Sequence, residues 1–257
     1  MRQIYFLGGM ENMLNLEIIG QGATATIYRD GDKAVKLYVN APADEAANEA
    51  ARQRFAYDAG LPVPAVIDVR YLDEKTTALD MEFIDGKPLF WPEMTEAEQD
   101  DAIQVLVKLQ CKVHKIQALG QPKQADKIQW KIQQSSHLTE EQKIQLLHDL
   151  NQLDTTSTNL CHGDIHPLNI LYDGKKYWII DWVDAAAGSP LSDACRTYLL
   201  IKQLLPPQAE IYLQTFCKEA NTKPEDVLAW LPVIAATRLA ENIDENAKAW
   251  LLNILQN

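Results

Sequence analysis

Residues 161–182 read CHGDIHPLNILYDGKKYWIIDW. Ile170-Leu171-Tyr172 and Tyr177-Trp178-Ile179-Ile180 flank Asp173-Gly174, and two β-rich runs around Asp-Gly are a strong hairpin signal. A hairpin returns its two ends to one place, so Asp164 and Asn169 ahead of it are expected to meet Asp181 behind it. Hard oxygen donors gathered in this way suit Mg²⁺, which is commonly shared between a few carboxylates and substrate phosphates. A further Asp that is not a ligand can accept a hydroxyl proton. Taken singly, Asp164 and Asn169 would serve as turn formers and Asp181 as a strand terminator. With His162 two residues ahead of Asp164, the set is too rich in polar groups for a plain turn.

Upstream, LEIIGQGATATIYRDGDKAVKLYV (residues 16–39) predicts strands around Gly20-Gln21-Gly22 and a hairpin turning at Arg29-Asp30-Gly31-Asp32. An Ala-rich helix is expected from Asp44 to Ala59, stopped by Gly60 and by Leu61-Pro62-Val63-Pro64. Two more strands follow around Asp73-Glu74-Lys75. From Thr95 the period becomes helical, with a capping box at Thr95 and Glu98 and apolar Ile103, Val107, Val113 and Ile116. Two amphipathic helices are expected within 124–153, and others at 192–205, 208–220, 225–240 and 245–256. Gly86, Pro88 and Pro92 mark a boundary, giving an N-lobe of residues 1–85, a sheet with one helix, and a mainly helical C-lobe of residues 86–257.

The 257 residues are 47% hydrophobic and 23% charged, the balance of an ordinary folded protein with enough chain for a real core. No segment reaches the roughly 18 apolar residues of a membrane-spanning helix. MRQIYFLGGMENM (residues 1–13) lacks the small-residue cleavage site of a secretion signal. Cys111, Cys161, Cys195 and Cys217 lack CxxC spacing, which disfavours zinc or a redox motif and fits reduced thiols in a cytoplasm. The net charge of −12, without clustered Lys and Arg, argues against nucleic acid as a partner. Composition does not address oligomeric state.

His162-Gly163-Asp164-Ile165-His166-Pro167-Leu168-Asn169-Ile170-Leu171, followed by Ile179-Ile180-Asp181-Trp182, resembles the catalytic signature of the aminoglycoside phosphotransferase and choline kinase family, relatives of the protein kinases. Gly188-Ser189-Pro190-Leu191-Ser192-Asp193 is similar to that family's next motif, with Ser189 in place of an Asp. The resemblance implies an α+β, two-lobed protein-kinase-like fold and transfer of the γ-phosphoryl of ATP, or GTP, to a hydroxyl of a small molecule such as an aminoglycoside, amino alcohol or sugar.

By position, the resemblance implies Asp164 as catalytic base and Asn169 and Asp181 as Mg²⁺ ligands. His162 would brace the loop, and His166, standing where protein kinases carry a lysine, would contact the transferred phosphoryl group. Asp193 and Arg196 would tie the catalytic loop to the following helix. In the N-lobe, Gly20, Gly22 and Thr24 would approach the nucleotide phosphates, although a plain turn explains the two glycines equally well. Lys36 would contact the α- and β-phosphates, paired with Glu49 or, as the alternative, Glu45. Glu82 and Ile84 would meet the adenine through their backbone.

The acceptor site is less legible. Glu241 and Asp244 would either place acids near a cationic acceptor or simply line a solvated helix end, and Trp91, Trp230 and Trp250 would stack on a ligand or, as the better expectation, pack in the core. A protein kinase is a rival reading, disfavoured because Trp182-Val183 replaces Phe-Gly and too little chain separates Asp181 from the next helix. A catalytically silent nucleotide-binding protein of the same fold is the second rival.

Overall fold

The computed structural model describes residues 16–22, 24–91 and 93–256. The segment weighed above as a secretion signal, Ala23 of the glycine turn and Pro92 of the boundary cluster lie outside the described residues. The chain divides into two compact units. One holds the residues up to Lys87 together with Leu171–Val183; the other holds Pro88–Ile170 and the residues from Asp184 onward.

In the first unit, strands β1 (Glu17–Gln21), β2 (Ala25–Asp30), β3 (Lys33–Val39), β4 (Val66–Tyr71) and β5 (Thr76–Glu82) form an antiparallel sheet in the order β1-β2-β3-β5-β4. The β2–β3 hairpin closes from Asp30 to Lys33, and Gly31 takes the positive φ of 61° that the tight turn needs. Helix α1 (Glu45–Asp58) packs on β4 and β5. Its buried stripe is Ala46, Glu49, Ala50 and Gln53, spaced as one helical face. The alanines let the helix lie close to Tyr38, Leu79 and Met81 of the sheet. The two polar members of the stripe are there for their hydrogen bonds.

The segment Leu171–Val183 contains most of the expected hairpin, from β8 (Ile170–Tyr172) to β9 (Tyr177–Ile179). The division read from sequence assigns this segment to the second lobe, whereas it groups with the first unit, where the Ile179 N–H donates to the Pro62 carbonyl at 2.8 Å. The Asp173 carboxylate holds the turn, accepting from the N–H groups of Lys175 and Lys176 and from the Trp178 indole.

Strand β6 (Lys87–Pro88) is two residues long. In the second unit, α2 (Glu96–His114) begins with the expected capping box: Glu98 N–H donates to Thr95 Oγ1, and Thr95 N–H to Glu98 Oε2. Helices α3 (Gln124–Gln134) and α4 (Glu140–Leu150) follow. Strand β7 (Asn159–Cys161) pairs antiparallel with β10 (Ala186–Gly188). Then come α5 (Pro190–Leu204), α6 (Pro206–Ala220), α7 (Pro224–Leu228), α8 (Leu231–Arg238) and α9 (Glu245–Ile254). Helix α6 packs between α2 and α5.

Two readings change. The helix expected over 225–240 is two helices, because Pro232 lacks an N–H and clashes with the preceding turn, so it can sit only in the first turn of a new helix. Pro206-Pro207, left between the helices expected at 192–205 and 208–220, is likewise the first turn of α6. No helix among the described residues is long and apolar enough to cross a membrane, and all four cysteines are buried free thiols.

Candidate active site

The first unit brings Lys36, Glu49 and Asp181 together. Lys36 lies mid-strand on β3, and its Nζ donates to Glu49 Oε1 at 2.9 Å and to Asp181 Oδ1 at 2.8 Å. Glu49 is fully buried, and its second oxygen accepts from the Tyr38 hydroxyl. Burial disfavours the ammonium, but the two carboxylates outweigh it and hold Lys36 above the usual lysine range. The Glu49 carboxyl is raised, by its own desolvation and by the nearby Asp181 charge, against the pull of Lys36. Glu45 enters no such pair; Glu49 is the acid on the helix face turned to the sheet.

Asp181 has φ 64°, in the left-handed region that a non-glycine residue seldom occupies. Strain of this kind is retained where surrounding contacts fix it, and Lys36 supplies one. Lys36 engages one carboxylate oxygen of Asp181, whose side chain is more than a third exposed, so hard oxygen is presented to any ligand there.

Gly20 lies opposite Ile27 beside a bulge in the β1–β2 ladder, the Gly22 N–H donates to the Ala25 carbonyl at 2.9 Å, and Thr24 is exposed. Glu82 ends β5 with its N–H donating to the Ala65 carbonyl, and the Ile84 carbonyl accepts from the Gly86 N–H.

The second unit carries Asp164, His166 and Asn169 on one loop. A short 3₁₀ turn (Pro167–Asn169) shapes it: His166 Nδ1 accepts from the Leu168 N–H, and Asn169 Nδ2 donates to the Asp164 carbonyl at 2.9 Å and to Asp164 Oδ2 at 3.4 Å. With the Asn169 amide nitrogen engaged, its side-chain oxygen is the group left to meet a cation. Gly163 takes φ 83°, and a Cβ there would lie 2.6 Å from the Asp184 carbonyl oxygen, so only glycine suits the approach.

The loop is braced from α5. Asp193 is buried; its Oδ1 accepts from the Gly163 N–H at 2.7 Å, and its Oδ2 meets His114 Nε2 at 2.8 Å and Gln110 Nε2 at 3.2 Å. The Thr197 hydroxyl donates to the Ile165 carbonyl. His162 is buried, and its Nδ1 accepts from the Asp164 N–H.

Arg196, on the same face of α5, does more than brace. Its Nη2 donates to Asp164 Oδ1 at 2.8 Å, and its Nη1 to Glu241 Oε1 at 2.9 Å. Burial raises the Asp164 pKa, but the His166 hydrogen bond and the Arg196 charge overcome it and hold the carboxyl well below its usual range. Glu241 is lowered to about 2, because Arg196, Lys131 and Arg238 together outweigh its burial. Arg196 is thus in direct contact with the expected base, a role missed when the sequence is read for structural braces alone. The signal was available: Asp193, Arg196 and Thr197 stand at i, i+3 and i+4, one helical face.

Glu241 and Asp244, weighed as acids for a cationic acceptor, are both engaged. Glu241 lies among three cations, and Asp244 caps α9, its Oδ1 accepting from the N–H groups of Asn246 and Ala247 at 2.9 Å each. Trp91 is not a core residue but 41% exposed.

The model of the Phosphotransferase enzyme family (APH) matches residues 15–230. No match is found among curated proteins. Among solved structures, a thermostable mutant of aminoglycoside phosphotransferase APH(4)-Ia superposes with a TM-score of 0.72 at 17% identity, covering 98% of this chain and 96% of that one. Aminoglycoside-3'-phosphotransferase of type VIII gives 0.65 at 20% identity, covering 90% and 97%. Amicoumacin kinase hAmiN, in complex with AMP-PNP, Ca²⁺ and Ami, gives 0.66 at 14% identity, covering 100% and 92%. These likenesses show a shared two-lobed fold, and the family match extends over most of the chain: it belongs to the phosphotransferase enzyme family.

Proposed function

We propose that this protein is a Mg²⁺-dependent small-molecule kinase that moves the γ-phosphoryl of ATP, or GTP, to a hydroxyl group. The carrying observation is the buried Lys36, fixed between Glu49 and Asp181. A lysine held charged and immobile is what phosphate positioning requires, because phosphoryl transfer relies on placement and electrostatics rather than on covalent chemistry by the protein.

In this reading Lys36 steadies the nucleotide phosphates, with Gly20, Gly22 and Thr24 along the turn beside them and the backbone of Glu82 and Ile84 against the base. Asp181 and Asn169 are the residues to hold magnesium, and their oxygen donors fit a hard cation. When bound, magnesium neutralises charge on the phosphates. Asp164 orients the acceptor hydroxyl and takes its proton, and His166, within 3.5 Å of Asp164 Oδ2, stands at the same place. The low pKa of Asp164 makes it a weak base; it suits a loose transition state in which the nucleophile's proton leaves late. The acceptor is a small molecule, and the buried free thiols suit a cytoplasmic setting.

A peptide acceptor is disfavoured by the chain after Asp181: Ala186–Gly188 are already paired with β7, and α5 starts at Pro190, leaving little platform for a protein substrate. The test is Mg²⁺-dependent stabilisation by AMP-PNP together with transfer of labelled phosphate from ATP to an acceptor panel. Binding without any transfer would favour the silent nucleotide-binding alternative.

A further inference from the structure

The second unit contains a cavity of about 480 Å³, within the usual size of small-molecule sites. Its wall is largely apolar: Phe90, Trp91, Leu168, Ile201, Leu204 and Leu205 contribute to it. Leu204 is 73% exposed and Leu168 53%, and large apolar side chains left open together mark a binding surface. The catalytic loop forms one side through His166, Pro167 and Leu168, and His166 Nε2 lies 3.5 Å from Asp164 Oδ2. The cavity therefore adjoins the group proposed to receive the acceptor's proton.

Its charge is equally informative. Among the described residues lining it, the fixed charge is a cation, Arg238, and no carboxylate lines it. The acids that would attract amines are committed elsewhere, Glu241 to Arg196, Lys131 and Arg238, and Asp244 to the start of α9. A polyamino sugar would meet apolar walls and Arg238, gaining no counter-ion for the hydration it surrenders.

We infer that the cavity bounded by Trp91, Leu168, Leu204 and Arg238 is the acceptor site, and that its substrate is an alcohol with an apolar body and no amino cations. The inference rests on the phosphotransferase reading and narrows its substrate class. Arg238 lines the cavity with its charge already met by Glu241, so the polar group expected beside it on the apolar body is a neutral hydroxyl. In the transfer, the bond from the acceptor oxygen to the γ-phosphorus forms as the bond to the β,γ-bridging oxygen breaks. The hydroxyl proton passes to Asp164 Oδ2, the oxygen not held by Arg196, and the nucleoside diphosphate leaves with the bridging oxygen.

The test offers the Mg²⁺–ATP-loaded full chain two panels of similar molecular size, neutral steroid, macrocyclic and aryl alcohols against polyamino sugars, and detects phosphorylated products by mass spectrometry. The expected result is a kcat/KM at least about tenfold higher for the best neutral alcohol than for any polyamino sugar, in the range that pocket contacts commonly discriminate. Leu204→Asp and Leu168→Asp are each expected to raise KM for that alcohol by about tenfold with a smaller change in kcat. Independently, the alcohol should quench tryptophan fluorescence of the AMP-PNP-loaded protein, and Trp91→Phe should remove the quench.

Equal or better use of polyamino sugars would overturn the inference and leave the phosphotransferase reading standing, as would nucleotide binding with neither panel bound. Acceptor binding that weakens as protein concentration rises would show the cavity filled by a second copy, also against it. Absence of nucleotide binding would defeat the phosphotransferase reading itself, and this inference with it.

Discussion

Arg196 holds Asp164 Oδ1 at 2.8 Å while its other terminal nitrogen holds Glu241 at 2.9 Å. The proposed base is therefore the outer member of a buried charge chain that continues from Glu241 to Lys131 and Arg238. A carboxylate fixed in this way is constrained in direction as well as in charge.

Removing the guanidinium should expose that control. Arg196→Ala is expected to lower kcat by roughly 10–100-fold, since it misplaces the proposed base, whose placement would set the rate. It should also move the acid limb of the pH–rate profile upward: the His166 hydrogen bond and the Arg196 charge hold the Asp164 pKa down against its burial, and losing the charge removes part of that depression. A profile whose acid limb stays in place would show that Arg196 does not set the ionisation of Asp164. Truncating one member of the buried chain should also cost on the order of 3 kcal/mol of stability in denaturant titration.

Asp164→Asn keeps the shape and removes the proposed proton acceptor. Phosphoryl transfer should fall by roughly 10²–10⁴-fold while stabilisation by Mg²⁺–AMP-PNP is retained. Full activity in this variant would remove Asp164 from the chemistry.

The nucleotide side is tested through the first unit. Asp181→Ala should abolish the Mg²⁺-dependent part of the thermal shift given by AMP-PNP, and an unchanged shift would take Asp181 out of the metal site. Lys36→Met should lower kcat/KM for ATP by about 100-fold, with Glu49→Gln having a smaller effect in the same direction, because the lysine then loses its orientation but not its charge.

Glu241 makes stability depend on acid pH. Its carboxyl moves from an ordinary 4.5 to about 2 on folding, so its contribution is fully present above the unfolded value and fades as pH falls between the two. The difference corresponds to on the order of 3 kcal/mol, read from urea midpoints between pH 5 and pH 2. Glu241→Gln should flatten that dependence while lowering stability at neutral pH. An unaltered slope would assign acid sensitivity to other depressed carboxyls, the buried Asp164, Asp184 and Asp193 among them.

The proposed catalytic loop was legible because its residues are close in sequence: Asp164, Asn169 and the Asp173-Gly174 turn fall within one short stretch. Lys36 was legible from its place in a strand–turn–strand order. Helix α1 gave a weaker signal, since its buried face carries Glu49 and Gln53 and so breaks the apolar period that sequence reading relies on. The role of Arg196 depends on Asp164 and Glu241, partners far away in the chain, and no local pattern announces such a pairing. The cavity draws on residues from Phe90 to Arg238, each unremarkable alone, and exists only once α5 and α8 stand beside the loop.

The left-handed backbone at Asp181 limits the routes by which a descendant of this protein could fall silent. That conformation tolerates glycine, asparagine and aspartate and penalises branched or bulky side chains. A lineage that lost the proposed metal ligand but kept its fold would therefore carry Gly or Asn at this position. With Asp181 as the proposed metal ligand, a Gly or Asn aligned with it in a homologue would mark a proposed pseudoenzyme, and a Val or Ile there would signal that the strand ending itself had been rebuilt.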